Sequence, residues 1–237
     1  MSNGIYVFAE QRSGKLQSVG YELLGEANAL AKDLGQPVVA VLLGNGIAAQ
    51  AESLIPYGAD EVVVVDDPIL EEYTTEPYAK ALAAVIKERQ PEIVLFGATS
   101  IGRDLAPRLS ARIRTGLTAD CTGLAIDPDT KLLMMTRPAF GGNLMAVIRC
   151  KNHRPQMATV RPGVMQPMEP EEERQGKVTV FPVAFTSADQ TVELLEVIPK
   201  KRGSADITQA SYLVSGGRGV GSKENFQQLY TLAELLG

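Results

Sequence analysis

The stretch Ser215-Gly216-Gly217-Arg218-Gly219-Val220-Gly221-Ser222 combines the residue types that hold phosphate. Glycines let a backbone approach an anion closely, and an arginine offers a planar, permanently charged fork suited to a pyrophosphate. The stretch follows a β-like run, Tyr212-Leu213-Val214, and precedes Phe226, Leu229, Tyr230, Ala233 and Leu236 at helical spacing. A strand that turns through glycines into a helix presents unpaired N–H groups and the positive end of the helix dipole. Gly-x-Gly-x-Gly patterns also recur in ordinary loops, so the strand-before, helix-after context carries the phosphate reading.

Two further segments could do chemistry. Gly97-Ala98-Thr99-Ser100-Ile101-Gly102-Arg103-Asp104 ends a strand and opens a helix, the edge where open α/β sheets bind ligands. Arg103, Arg108, Arg112 and Arg114 make it locally basic; they suit either a solvated helix face or a ligand or acidic partner. Thr136-Arg137-Pro138-Ala139-Phe140-Gly141-Gly142-Asn143 holds a turn sequence beside an arginine and an aromatic, a surface fit for stacking on a flat ring or docking a partner. A purely structural hairpin reads equally well. The single histidine, His153, lies in a polar loop with no nucleophile patterned beside it, which excludes a His-based metal site and argues against a Ser-His-Asp triad. An enzyme built on Asp120 or Cys121 is a weaker alternative, because no base accompanies them in the sequence. Redox or group-transfer chemistry would therefore need a bound cofactor.

These segments must be positioned by a regular frame. Ile5–Phe8, Val38–Leu43, Val62–Val65 and Ile93–Phe96 are continuous apolar runs, as in strands buried on both faces. Helical patterns at about 17–34, 46–57, 76–89 and 104–114 alternate with them, which predicts βαβ units and a parallel-sheet three-layer α/β sandwich. Beyond residue 120 the runs 122–127, 131–137, 144–149 and 156–161 are short and separated by turns, and read as added antiparallel strands. Residues 166–176 read as a loop, 178–185 and 191–197 as further β-like runs, and Lys200–Ser204 as a hinge. The expected domains are 1–200, a hinge at 201–210, and 211–237 as the first βα unit of a second domain.

A net charge of −5 leaves no basic excess for nucleic acid or anionic membrane. No apolar run reaches the roughly 20 residues of a membrane span. Two cysteines give no disulfide framework, and the N-terminus shows no signal pattern, so a cytoplasmic protein is expected.

In order along the chain, Phe96–Thr99 with Arg103–Arg108, Arg137–Asn143, Arg154–Gly163 and Ser215–Asn225 resemble the alpha subunits of electron transfer flavoproteins. That resemblance covers essentially the whole chain. It implies a heterodimer with a beta subunit of related fold, and a C-terminal domain that holds FAD. Arg218 would lie by the FAD pyrophosphate, with Ser215, Gly217 and Gly219 around it. The Arg-Pro-Ala-Phe-Gly-Gly-Asn and His-Arg-Pro-Gln-Met versions are similar to the branch with electron-bifurcating members. There the beta subunit holds a second FAD that takes a hydride from NADH and splits the pair between ferredoxin and the alpha-subunit FAD. Arg137, Phe140, Gly141, Gly142 and Asn143 are then expected beside that second flavin. An acyl-CoA-type or other flavin dehydrogenase is the expected redox partner. Family members continue past the 224–236 helix with further flavin-contacting motifs, so the flavin domain is expected to be incomplete in this sequence. The alternative is a redox-inactive scaffold that docks a flavin-bearing beta subunit.

Overall fold

Runs of Val, Ile and Leu without polar alternation fold here into strands covered on both sides. The structure, a computed structural model, describes residues 3–198, 207, 210 and 212–236. The chain divides into two units, Met1–Glu193 and Leu194–Gly237. In the first, β1 (Ile5–Ala9) leads through a small hairpin, β2 (Gln11–Arg12) and β3 (Lys15–Leu16), to α1 (Ser18–Leu34). Then come β4 (Val38–Gly44), β5 (Glu61–Asp66), α2 (Thr75–Arg89), β6 (Ile93–Gly97), α3 (Ser100–Ile113) and β7 (Leu117–Cys121). The strands β8 (Gly123–Ile126), β9 (Leu133–Ala139), β10 (Leu144–Ile148), β11 (Gln156–Val160) and β12 (Lys177–Val180) complete it.

Seven strands form one sheet in the order β12-β5-β4-β1-β6-β11-β7, with every pairing parallel. Period-two geometry sorts each strand between two cores. Ile5, Val7 and Ala9 pack with Leu23, Leu24 and Ala27 of α1, whereas Tyr6 and Phe8 pack with Tyr78 and Leu82 of α2 and Leu105 of α3. Leu23 and Leu24 are fully buried, each contributing about 1.5–3 kcal/mol relative to exposure. The fold is thus the expected three-layer α/β sandwich with added antiparallel strands.

Several expectations need correction. Gln156–Val160 is not an antiparallel addition: β11 lies parallel between β6 and β7, buried along its whole length. The crossover from β7 to β11 is made by a three-stranded antiparallel sheet, order β10-β9-β8, where a helix would ordinarily stand. Gln156 ties the two sheets together. Its side chain accepts from the Leu133 N–H at 2.9 Å and donates to Glu92 at 3.1 Å. The 46–57 pattern yields only a 3-10 helix, Ala48–Leu54. α3 begins at Ser100, four residues before its apolar pattern, because the Thr99 hydroxyl accepts the Gly102 N–H at 3.0 Å and caps it. Of 178–185 only the first residues pair, as β12; the following Phe181, Val183 and Phe185 rest on the core as irregular chain. No strand forms over 191–197.

The second unit contains α4 (Lys223–Leu236) and, ahead of it, a single 3-10 turn at Arg218–Val220. Tyr212–Val214 is not a strand: no pairing partner stands beside it among the described residues. The expected hinge residues 201–206, 208 and 209 lie outside the described residues.

Candidate functional site

Two places answer to the residues singled out by the sequence. The first is the C-terminal edge of the large sheet, with the β9–β10 hairpin beside it. β9 and β10 pair with Ala139 opposite Leu144 and Arg137 opposite Ala146. The turn passes through three consecutive left-handed residues, Phe140, Gly141 and Gly142, at φ 48°, 71° and 93°. Gly141 and Gly142 have open space where a Cβ would sit, so backbone conformation rather than crowding calls for glycine. Phe140 has no such licence, and a bulky residue at positive φ is a local strain of the kind that clusters at functional positions. The residue is 82% exposed. Leu144, Met145, Val147 and Ile148 of β10 are exposed as well, leaving an edge strand apolar on both faces. Asn143 is exposed at the end of the turn.

At the root of this hairpin lies an arginine cluster. A bulge where β7 pairs with β11 puts Asp120 at φ 60°, with its N–H on the Thr159 hydroxyl at 2.8 Å. The Arg161 fork donates to both Asp120 oxygens, at 3.2 and 2.6 Å. Arg103 stands 3.6 Å from the same carboxylate while its Nε donates to the Ala98 carbonyl at 2.8 Å. The Arg161 hydrogen bonds, with the charges of Arg161, Arg103 and Arg137, hold the Asp120 carboxyl below its ordinary range. Half-buried Arg137 has its Nε buried without a hydrogen-bond partner among the described residues. Burial pushes the neighbouring Cys121 thiol up to about 11, the reverse of what a nucleophile needs. The Asp120–Cys121 enzyme reading therefore has no support in the geometry.

The basic group at the start of α3 separates into different roles. Arg108 and Arg112 both bind Glu76 of α2, at 2.6 and 2.9 Å, and Arg114 ends α3 in a left-handed conformation. Arg108 and Arg112 join α3 to α2, whereas Arg103 turns to the sheet edge. His153 is exposed on its loop.

The strand order reverses between β1 and β6, where doubly wound sheets hold their ligands. Here that crevice contains Glu10, whose side chain has no solvent exposure. One oxygen accepts from Arg12 Nε and Nη2, at 3.0 and 2.9 Å, and the other from the Thr99 hydroxyl at the start of α3. An internal carboxylate thus occupies the place beside a helix N-terminus that suits a phosphate. Sequence reasoning passed over Glu10; a lone acid after an apolar strand was its only signal.

The second place is the glycine loop before α4. A groove of about 530 Å³ is lined by residues including Gly217, Arg218, Ser222, Lys223, Phe226 and Tyr230, within the size range of ligand sites. A Cβ on Gly216 would come 2.3 Å from a methyl of Leu229, so this glycine lets the loop lie on the helix. Gly217 and Gly219 are open on the outer side, where a ligand would approach. Ser215 and Arg218 are exposed. Ser222 accepts the Asn225 N–H at 3.2 Å, and the Asn225 amide donates to the Val220 carbonyl at 3.1 Å, fixing the loop on the helix start. Glu224 accepts its own backbone N–H, which holds its carboxyl below the ordinary range. The residues present fit the phosphate part of a dinucleotide: open glycines, a guanidinium and a capped helix start. The described residues of this unit supply no enclosure for rings or ribose.

Comparison with known proteins shows the family of the chain. The family model described as electron transfer flavoprotein domain matches residues 5–186. The chain is 50% identical over 98% of its length to the electron transfer flavoprotein subunit alpha of Thermoanaerobacterium thermosaccharolyticum, covering 70% of that protein. It is 49% identical over 99% of its length to the subunit alpha of Clostridium acetobutylicum, again covering 70%. It is also 42% identical over 99% of its length to the lactate dehydrogenase (NAD(+),ferredoxin) subunit LctC of Acetobacterium woodii, covering 56%. The chain belongs to the electron transfer flavoprotein family.

Proposed function

We propose that this chain is the alpha subunit of an electron transfer flavoprotein, paired with a beta subunit and binding FAD through the glycine loop before α4. FAD, when bound, takes up electrons from one redox partner and passes them to another. What the chain itself does is hold the anion. Arg218 would place its fork on the pyrophosphate, while Gly217, Gly219 and Ser215 admit backbone and hydroxyl contact at the helix start. The observation that carries this reading is the open, arginine-bearing loop fixed on α4 by Ser222 and Asn225, in a chain half identical to named alpha subunits.

In the wider reaction, Arg137, Phe140, Gly141, Gly142 and Asn143 would flank a second flavin carried by the beta subunit. NADH and ferredoxin would then be the outer redox partners, as in electron bifurcation; the name of the Acetobacterium relative contains both NAD and ferredoxin. An acyl-CoA-type or other flavin dehydrogenase is the further partner proposed. The proposed site of action is the cytoplasm. The residues 201–210 would be the hinge between an N-terminal domain, 1–200, and the start of the FAD domain, 211–237.

The internal carboxylate of Glu10 beside the start of α3 favours a second reading: a scaffold without a redox centre that docks a flavin-bearing beta subunit. Arg218→Ala in the full-length heterodimer separates the two. FAD affinity should fall about 10- to 100-fold, the scale of a charge-assisted hydrogen bond of ~1.5–3 kcal/mol. Unchanged affinity, measured by flavin release on dilution, would reject the carrier reading of this loop.

A further inference from the structure

We propose that Lys80, Thr186 and Asp189 form a knot that pins the strap Phe181–Asp189 against α2, and so sets the point from which the connection to the second unit begins. This rests on the two-domain reading above and moves the root of the connection ahead of the 201–210 hinge.

The strap continues β12 beyond its last paired residue. The Phe181 N–H donates to the Val64 carbonyl at 2.7 Å. Burial then alternates: Phe181, Val183 and Phe185 are half-buried on the core that α2 and α3 share with the sheet, whereas Pro182, Ala184 and Thr186 are exposed. This is the period of a strand, yet beyond Phe181 no strand pairs with it among the described residues. Side chains must hold it in place.

The knot closes its far end. At Ser187–Asp189 the chain makes one 3-10 turn. Asp189 Oδ2 accepts from the Thr186 N–H at 2.7 Å, the Thr186 hydroxyl at 2.9 Å and Lys80 Nζ of α2 at 2.7 Å. Lys80 also stands 5.5 Å from the centre of the Phe185 ring, so one cation holds both the acid and the aromatic. The hydrogen bond from Lys80, with those from Thr186, holds the Asp189 carboxyl down at about 2. Past the knot, residues 190–198 form no strand or helix and are exposed throughout. The division between the two units falls among them, after Glu193.

The consequence is reach. A connection that starts at Gln190 gives the second unit up to about 30 Å of chain before residue 199, and release of the strap would add about as much again. A longer tether lowers the effective concentration of one unit at a site reached through the other. The knot therefore meters how far the second unit can travel.

The test is limited chymotrypsin digestion of the full-length heterodimer, with each cut bond identified and timed by mass spectrometry. The bond after Leu195, a residue 86% exposed, is the internal reference, and the bond after Phe185 reads the strap. In the wild type the cut after Phe185 should be at least about tenfold slower than the reference, because the ring must first leave the core. Lys80→Met keeps the stem and removes the charge; it should speed the cut after Phe185 about tenfold and leave the reference unchanged. Lys80→Arg keeps the cation and should stay slow. The knot is overturned if the wild type is cut equally fast at both bonds, or if Lys80→Met leaves the Phe185 rate unaltered. It is also overturned if Lys80→Met speeds both cuts together, the mark of a loosened unit, or if Lys80→Arg is cut as Lys80→Met is. A wild type uncut after Leu195 would mean that the connection is covered, and would overturn it as well. Flavin content of the same samples reports separately on the carrier reading, and no outcome at Phe185 depends on it.

Discussion

At the C-terminal end of β1, the Glu10 side chain is held away from water and, among the described residues, accepts hydrogen bonds from Arg12 and the Thr99 hydroxyl. Arg12 is half exposed and can rehydrate when Glu10 is removed, so the loss lies in the hydrogen bonds that Glu10 accepts from Arg12 and Thr99, about 1–3 kcal/mol. Glu10→Ala should therefore lower the midpoint of urea unfolding substantially. Glu10→Gln, which keeps a carbonyl for Arg12, should lower it less. Equal midpoints for wild type and Glu10→Ala would mean that Arg12 and Thr99 find water at no loss. The contrast with Arg218 is instructive. One charge is enclosed by its own chain and organises the fold; the other stands in solvent on a loop whose glycines leave room for a ligand.

At the scale of elements, the β9–β10 hairpin is the part least explained by the chain alone. An edge strand with apolar side chains exposed on both faces is a liability unless something covers it. With the beta subunit as its cover, Phe140→Ser combined with Val147→Ser should weaken heterodimer formation about tenfold or more, while the alpha chain unfolds at its usual denaturant concentration. A heterodimer of unaltered affinity, read by sedimentation, would place the hairpin outside the interface. These elements also mark what a single sequence discloses. The four first strands were legible because residues such as Val38–Leu43 admit only burial on both faces. β11 was mistaken because its apolar run is flanked by turns and its crossover contains strands instead of a helix, so only tertiary pairing reveals its direction. Likewise the glycine-to-arginine loop was visible, whereas the Asp120 cluster was not: Arg103, Arg137 and Arg161 are far apart in sequence and meet only where their strand and helix ends converge. Gly102 shows the same limit. A Cβ there would come 1.8 Å from the Gly97 carbonyl oxygen, a contact that no spacing rule displays.

On the scale of the whole molecule, a parallel sandwich carries an exposed apolar hairpin and an arginine cluster at one sheet edge, and a glycine- and arginine-bearing loop lies in a separate unit. The chain spans 70% of the subunits alpha to which it is half identical. That division of labour fits a subunit that both docks a partner and holds a cofactor. The measurement that bears most directly on it is the visible spectrum and flavin content of the full-length protein purified with its natural beta subunit. A flavin bound to the alpha subunit and a second on the beta subunit is the expected result. A heterodimer whose alpha subunit carries no flavin would contradict the account.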